Sequence, residues 1–124
     1  MDKGKVVNQV SLDNIDLEAV LKHQDKAFIN EDVVLIYNGN ILRSPLFHKE
    51  EIYQIAEPRI IFVMGGKGDT CINLQDYHLE QGYVVMTPPD TIFEINDVSP
   101  DARLVAIVFR DSIDMPEEII HKAT

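Results

Sequence analysis

Few side chains in this sequence could do chemistry, and most of them stand apart. His23, His48, His78 and His121 are scattered and show no metal-ligand spacing, so each reads as a surface or strand-edge residue. Cys71, the single cysteine, sits mid-strand in Thr70-Cys71-Ile72-Asn73 with no His or Asp beside it. It reads as a buried, inert thiol. Gly65-Gly66-Lys67-Gly68 lacks the spacing of a phosphate loop and leads into no helix, so a hairpin turn is expected there. Arg59 poses the sharper question. If it faces inward with Ile61 and Val63, its guanidinium needs an anion or several acceptors. That partner is either an acid of the chain, such as Glu94, or a ligand carboxylate or phosphate held by two parallel bonds. The pair within the chain is favoured, with Arg59 reaching solvent at a rim beside Pro58. Tyr53 offers a hydroxyl and an aromatic face suited to a sugar or small acid, although a packed tyrosine with a satisfied hydroxyl is commoner. No pair of titratable groups is placed for proton transfer, so no catalytic residue is expected.

The elements that must position these residues read as strands. In Gly82–Asp97, GYVVMTPPDTIFEIND, two apolar runs flank a proline turn, which is the pattern of two strands. Further strands are expected at Val33–Tyr37, closed by the turn Asn38-Gly39-Asn40, and at Glu51–Ala56, Arg59–Met64, Thr70–Leu74, Asp76–Leu79 and Leu104–Phe109. Many short strands with turn signals between them indicate an all-β sandwich or barrel. Alternation puts Thr91, Phe93 and Ile95 on one face and Glu94 on the other; if theirs is the inner face, Phe93 is core packing ahead of ligand stacking and Glu94 points outward. Ser11–Asp25 carries an imperfect helical period with a capping residue at Ser11 or Asn14, and a strand with a helical turn remains open there. Pro116-Glu117-Glu118-Ile119-Ile120 has the residues of a helix start. The expected division is an extension over 1–30 packing on the barrel, a barrel over 31–111, and a helix start or linker over 112–124.

Two spacings resemble the cupin family. Gly82, five residues, Pro88, one, Asp90, two, Phe93, three, Asp97 resembles the second cupin motif, with Asp90 in place of a turn glycine and Asp97 in place of an asparagine. Phe93 stands where that motif has histidine. Counting back from Gly66 along the first motif puts Arg59 at its glutamate, Tyr53 and Ile55 at its two histidines, and Phe47 at its opening glycine. The resemblance therefore implies a cupin-like β-barrel (a double-stranded β-helix or jelly roll) without a metal site or other cofactor. Arginine in particular does not ligate a cation. It implies an interior lined by Tyr53, Ile55, Arg59, Ile61, Met86 and Phe93. Over roughly 31–110 the chain looks most like the N-terminal sensor domain of AraC-type transcriptional regulators. That implies a small-molecule effector, a homodimer, and DNA contacts made only through a helix-turn-helix half that this chain lacks. The alternative is a stand-alone, metal-independent cupin, either a binding protein or an isomerase-like enzyme.

Composition agrees with a folded domain. The chain has 124 residues, 45% of them apolar, which suffices for a core. Its net charge is -10, from 11 basic and 21 acidic residues, so nucleic acid would be repelled and no basic cluster offsets this. A lone cysteine and the absence of an apolar stretch behind Met1-Asp2-Lys3-Gly4-Lys5 lead to a cytoplasmic expectation. No apolar run approaches the ~20 residues of a membrane span.

Overall fold

In a computed structural model, residues 6–14, 26–39, 47–111 and 118–122 are described, and eleven β-strands form two sheets. The first sheet has the order β1 (Val7–Val10), β4 (Ile52–Ile55), β9 (Thr91–Val98), β6 (Lys67–Ile72) and β7 (Gln75–Glu80). The second has the order β11 (Ile119–Lys122), β8 (Tyr83–Thr87), β5 (Arg59–Gly65), β10 (Arg103–Phe109), β3 (Val33–Gly39) and β2 (Lys26–Ile29). Consecutive strands mostly alternate between sheets, and every ladder is antiparallel except β1 with β4.

Period-two burial explains why these runs are strands. Along β9, Thr91, Phe93 and Ile95 are buried while Ile92, Glu94 and Asn96 are half-buried on the other face. The core joins the two inner faces: Val10, Tyr53, Ile55, Ile72, Phe93 and Ile95 from the first sheet meet Val85 from the second.

Four expectations change. Ile119–Lys122 is a strand, not the continuation of a helix, because its backbone pairs with the open edge of β8, Ile119 opposite Met86 and His121 opposite Val84. Ladder bonds along an open edge override a local helix preference. Gly65–Gly68 is no hairpin. β5 pairs with β8 and β10, and β6 with β7 and β9, so Gly66 is the corner where the chain leaves one sheet for the other. Its φ of 72° and the Ala102 backbone, 2.4 Å from where a Cβ would sit, require glycine there. Asn38 and Gly39 belong to β3 rather than to a turn. The chain ahead of residue 31 supplies β1 and β2, edge strands of the two sheets. Within Ser11–Asp25, residues 12–14 form a turn, and the remainder of the helix expected there lies outside the described residues.

Candidate functional site

The two motif segments meet inside the barrel. In the β4–β9 ladder Tyr53 lies directly opposite Phe93 and Ile55 opposite Thr91. The rings of Tyr53 and Phe93 stack at 5.4 Å, and Phe47 packs against both, at 5.0 Å from Tyr53 and 5.6 Å from Phe93. From the opposing sheet, Arg59 sets its guanidinium over the Phe93 ring, 5.2 Å from the centroid. Tyr53, Arg59 and Phe93, far apart in sequence, therefore share one small volume, and Ile55 is buried in the same core. Ile61, half-buried, packs against that core from β5.

Arg59 is not at a rim. It is 6% exposed. Among the described residues its buried Nη1 has no hydrogen-bond partner. Burial pushes the guanidinium down to about 10, with Glu57 opposing, so it stays charged at neutral pH. Glu57 acts at a distance, because its carboxylate is engaged elsewhere: Ser11 Oγ donates to Oε2 at 2.7 Å and the Leu12 amide donates at 3.1 Å. Glu94, weighed above as a partner, faces the other side of β9, between Ile52 and Cys71.

Thr87 takes the place expected of Met86. β8 pairs Thr87 with Arg59 and Met86 with Ile60, so alternation turns Met86 to the outer face and Thr87 inward. Thr87 is 1% exposed, and its Oγ1 also has no hydrogen-bond partner among the described residues. Two orphaned polar atoms, Arg59 Nη1 and Thr87 Oγ1, thus stand on directly paired, inward positions. Buried donors without acceptors are uncommon and costly. Together they suit one anionic oxygen, with the guanidinium supplying charge and the hydroxyl a second donor. Phe47 and Thr87 were both readable, Phe47 as an aromatic at a motif glycine and Thr87 as the inward residue two beyond Val85.

The remaining side chains are structural. The Tyr53 hydroxyl accepts from the His48 amide at 2.7 Å and donates to Glu51 Oε2 at 3.0 Å. Burial raises its pKa above 10.0, against the lowering effect of the His48 amide. The Cys71 thiol is half-buried on the outer face and is raised by burial first and then by Asp76 and Glu94. His78 is exposed beside Asp69, 2.7 Å from its carboxylate. Among the described residues no three His, Cys, Asp or Glu side chains gather where they could hold a metal ion. No described helix is long and apolar enough to cross a membrane. An open depression of about 350 Å³ at the barrel end is lined by Gly66, Lys67, Glu80, Gln81 and Asp101, none of them an expected site residue.

The sequence matches no family model and no curated protein. Among solved structures, a protein described as glyoxylate-induced from Pseudomonas aeruginosa is similar over 79% of this chain and 52% of its own, at 13% identity and a TM-score of 0.50. Protein Ylba from E. coli is similar over 73% of this chain and 37% of its own, at 17% identity and a TM-score of 0.45. Vibrio cholerae ToxT, bound to an unsaturated fatty acid, is similar over 77% and 42%, at 11% identity and a TM-score of 0.45. The chain spans about half the length of the first and less of the others. At such identities the likeness speaks to fold alone, and the fold is all-β and cupin-like.

Proposed function

We propose that this chain is a small-molecule-binding cupin domain that holds an anionic effector through Arg59 and Thr87, in the manner of a sensor domain. The observation that carries this is the pair of buried, unbonded polar atoms on cross-strand neighbours, beside the ring of Phe93. A carboxylate or phosphate oxygen there would neutralise a cation whose Nη1 has no hydrogen-bond partner among the described residues. Binding is favoured over catalysis. Among the described residues, the carboxylate of Glu57, which acts on Arg59, and the hydroxyl of Tyr53 are both already engaged. Assignment to the sensor half of an AraC-type transcription regulator, acting as a dimer and reaching DNA through a separate domain, rests on the motif resemblance of residues 31–110. A free-standing cupin is the alternative, and the gene sequence past codon 124 separates the two.

Thermal melting with a panel of small carboxylates and inorganic phosphate tests the site. A bound anion raises the melting temperature by mass action. Arg59→Ala is expected to abolish that rise and Thr87→Val to reduce it. A rise that is unchanged in Arg59→Ala would assign Arg59 to structure and end the proposal.

A further inference from the structure

The outer face of the six-stranded sheet is apolar along a full row. Following the ladders from edge to edge, Ile119 lies opposite Met86, Met86 opposite Ile60, Ile60 opposite Ile107, Ile107 opposite Leu35, and Leu35 opposite Phe28. All six strands contribute, and no polar residue interrupts the row. In the next row, His121, Val84, Phe62 and Val105 are in register, and on β3 and β2 that side of the sheet continues with the pair Tyr37 and Lys26. The row ends are open, with Ile119 48% and Phe28 55% exposed, and Met64 on the same face is 46% exposed. All eleven described strands belong to the two sheets, and the five-stranded sheet covers only the inner face. A sheet with one solvated face ordinarily alternates apolar inside with polar outside. This one is apolar on both faces.

We propose that this outer face is the interface between two copies of the chain. Its size fits. Six strands about 4.8 Å apart and four to seven residues long give a face on the order of 500 Å² in projection. That exceeds the few hundred Å² a monomer usually leaves exposed. Two such faces together would bury roughly 1,000 Å², the lower bound for a specific interface. Shape favours a second copy as well. Both sheets carry the same twist, and equally twisted sheets pack face to face with strands about 30° apart. A two-fold axis through the face then sets each apolar row against its own equivalent. Charge points the same way. At a net -10, two copies repel over most of their surfaces and approach best where neither presents carboxylates. The same charge disfavours an anionic lipid surface as the occupant.

Sedimentation equilibrium of the whole chain tests this, with two variants beside the wild type. Phe28→Glu with Ile119→Glu changes only exposed row-end side chains, so the fold should hold, which far-ultraviolet circular dichroism checks. Leu74→Glu alters an exposed apolar residue, 69% accessible, between β6 and β7 of the other sheet. The expected result is a dimer in the wild type and in Leu74→Glu, with the dissociation constant raised at least about 100-fold in the double variant. A wild-type monomer at about 100 µM overturns the proposal, whatever else the face then binds. So does a dimer that the double variant leaves intact.

Discussion

Arg59→Met removes a buried charge while keeping most of the side-chain volume, and the structure sets the size of the effect. At pH 7 the guanidinium is protonated in both the folded and the unfolded chain, since burial pushes it down only to about 10. The cost of burying the charge is therefore fully present at neutral pH. It is relieved only as the pH rises above about 10, where the unfolded chain holds the proton more tightly. A lowering of that size corresponds to about 3 kcal/mol. The cation over the Phe93 ring offsets about 1–2 kcal/mol of this and is lost with the charge. The variant should accordingly be more stable than the wild type by about 1–2 kcal/mol, with a melting temperature higher by roughly 3–10 °C for a chain of this length. Urea unfolding at pH 7 in buffer free of small carboxylates and phosphate measures it, with the m-value unchanged. Such a gain is expected where a residue is kept for a ligand at the expense of stability. A loss of more than about 1 kcal/mol would refute the reasoning, because the guanidinium would then be a net contributor to stability through bonds other than those of the described residues.

Gly66→Ala should destabilise the chain by more than about 3 kcal/mol, since its Cβ would stand 2.4 Å from the Ala102 backbone at a φ of 72°, and thermal melting reads it. Tyr53 is neutral in both states below pH 10.0, and its folded-state pKa is raised. Its contribution should therefore be lost as the pH rises above 10.0, and Tyr53→Phe should flatten the alkaline stability profile while costing about 1–2 kcal/mol at pH 7. Cys71 should react with a thiol reagent at neutral pH more slowly than a free cysteine does, and followed by absorbance, its rate should rise only in part when Asp76→Asn and Glu94→Gln remove the neighbouring carboxylates, since burial, the larger cause, remains. Metal analysis of the purified chain should find no stoichiometric zinc, iron or nickel, and finding one would contradict the placement of Tyr53, Ile55, Arg59 and Phe93 at the ligand positions.

Local pattern determined much of the fold. The alternation in Thr91–Val98, the apolar runs at Arg59–Gly65 and Tyr83–Thr87, and the turn residues Gly66, Gly82 and Asp90 identify strands and corners because side-chain period and positive φ are properties of short segments. Asp90, at φ 63°, stands where the motif spacing calls for a turn residue. The short strands β1, β2 and β11 were not legible in this way. Four residues carry too little period to outweigh the charged and capping residues around them, and these strands exist because the backbone edges of β4, β3 and β8 needed partners.

The site divides along the same line. Motif spacing alone brought Tyr53, Ile55, Arg59 and Phe93 together as one set. Whether Arg59 had a partner depended on where other elements ended: Glu57 turned to Ser11 and Leu12, Glu94 turned outward, and the β5–β8 register put Thr87 rather than Met86 across from the guanidinium. Registers between strands distant in sequence are chosen by burial summed over a whole sheet, since a slip of one residue would reverse every side chain. The sequence by itself thus determined which residues could line the interior. Only the tertiary structure decided that Arg59 would be buried there with a charge and an Nη1 unpartnered among the described residues, and that the middle of the reverse face of its sheet would remain apolar.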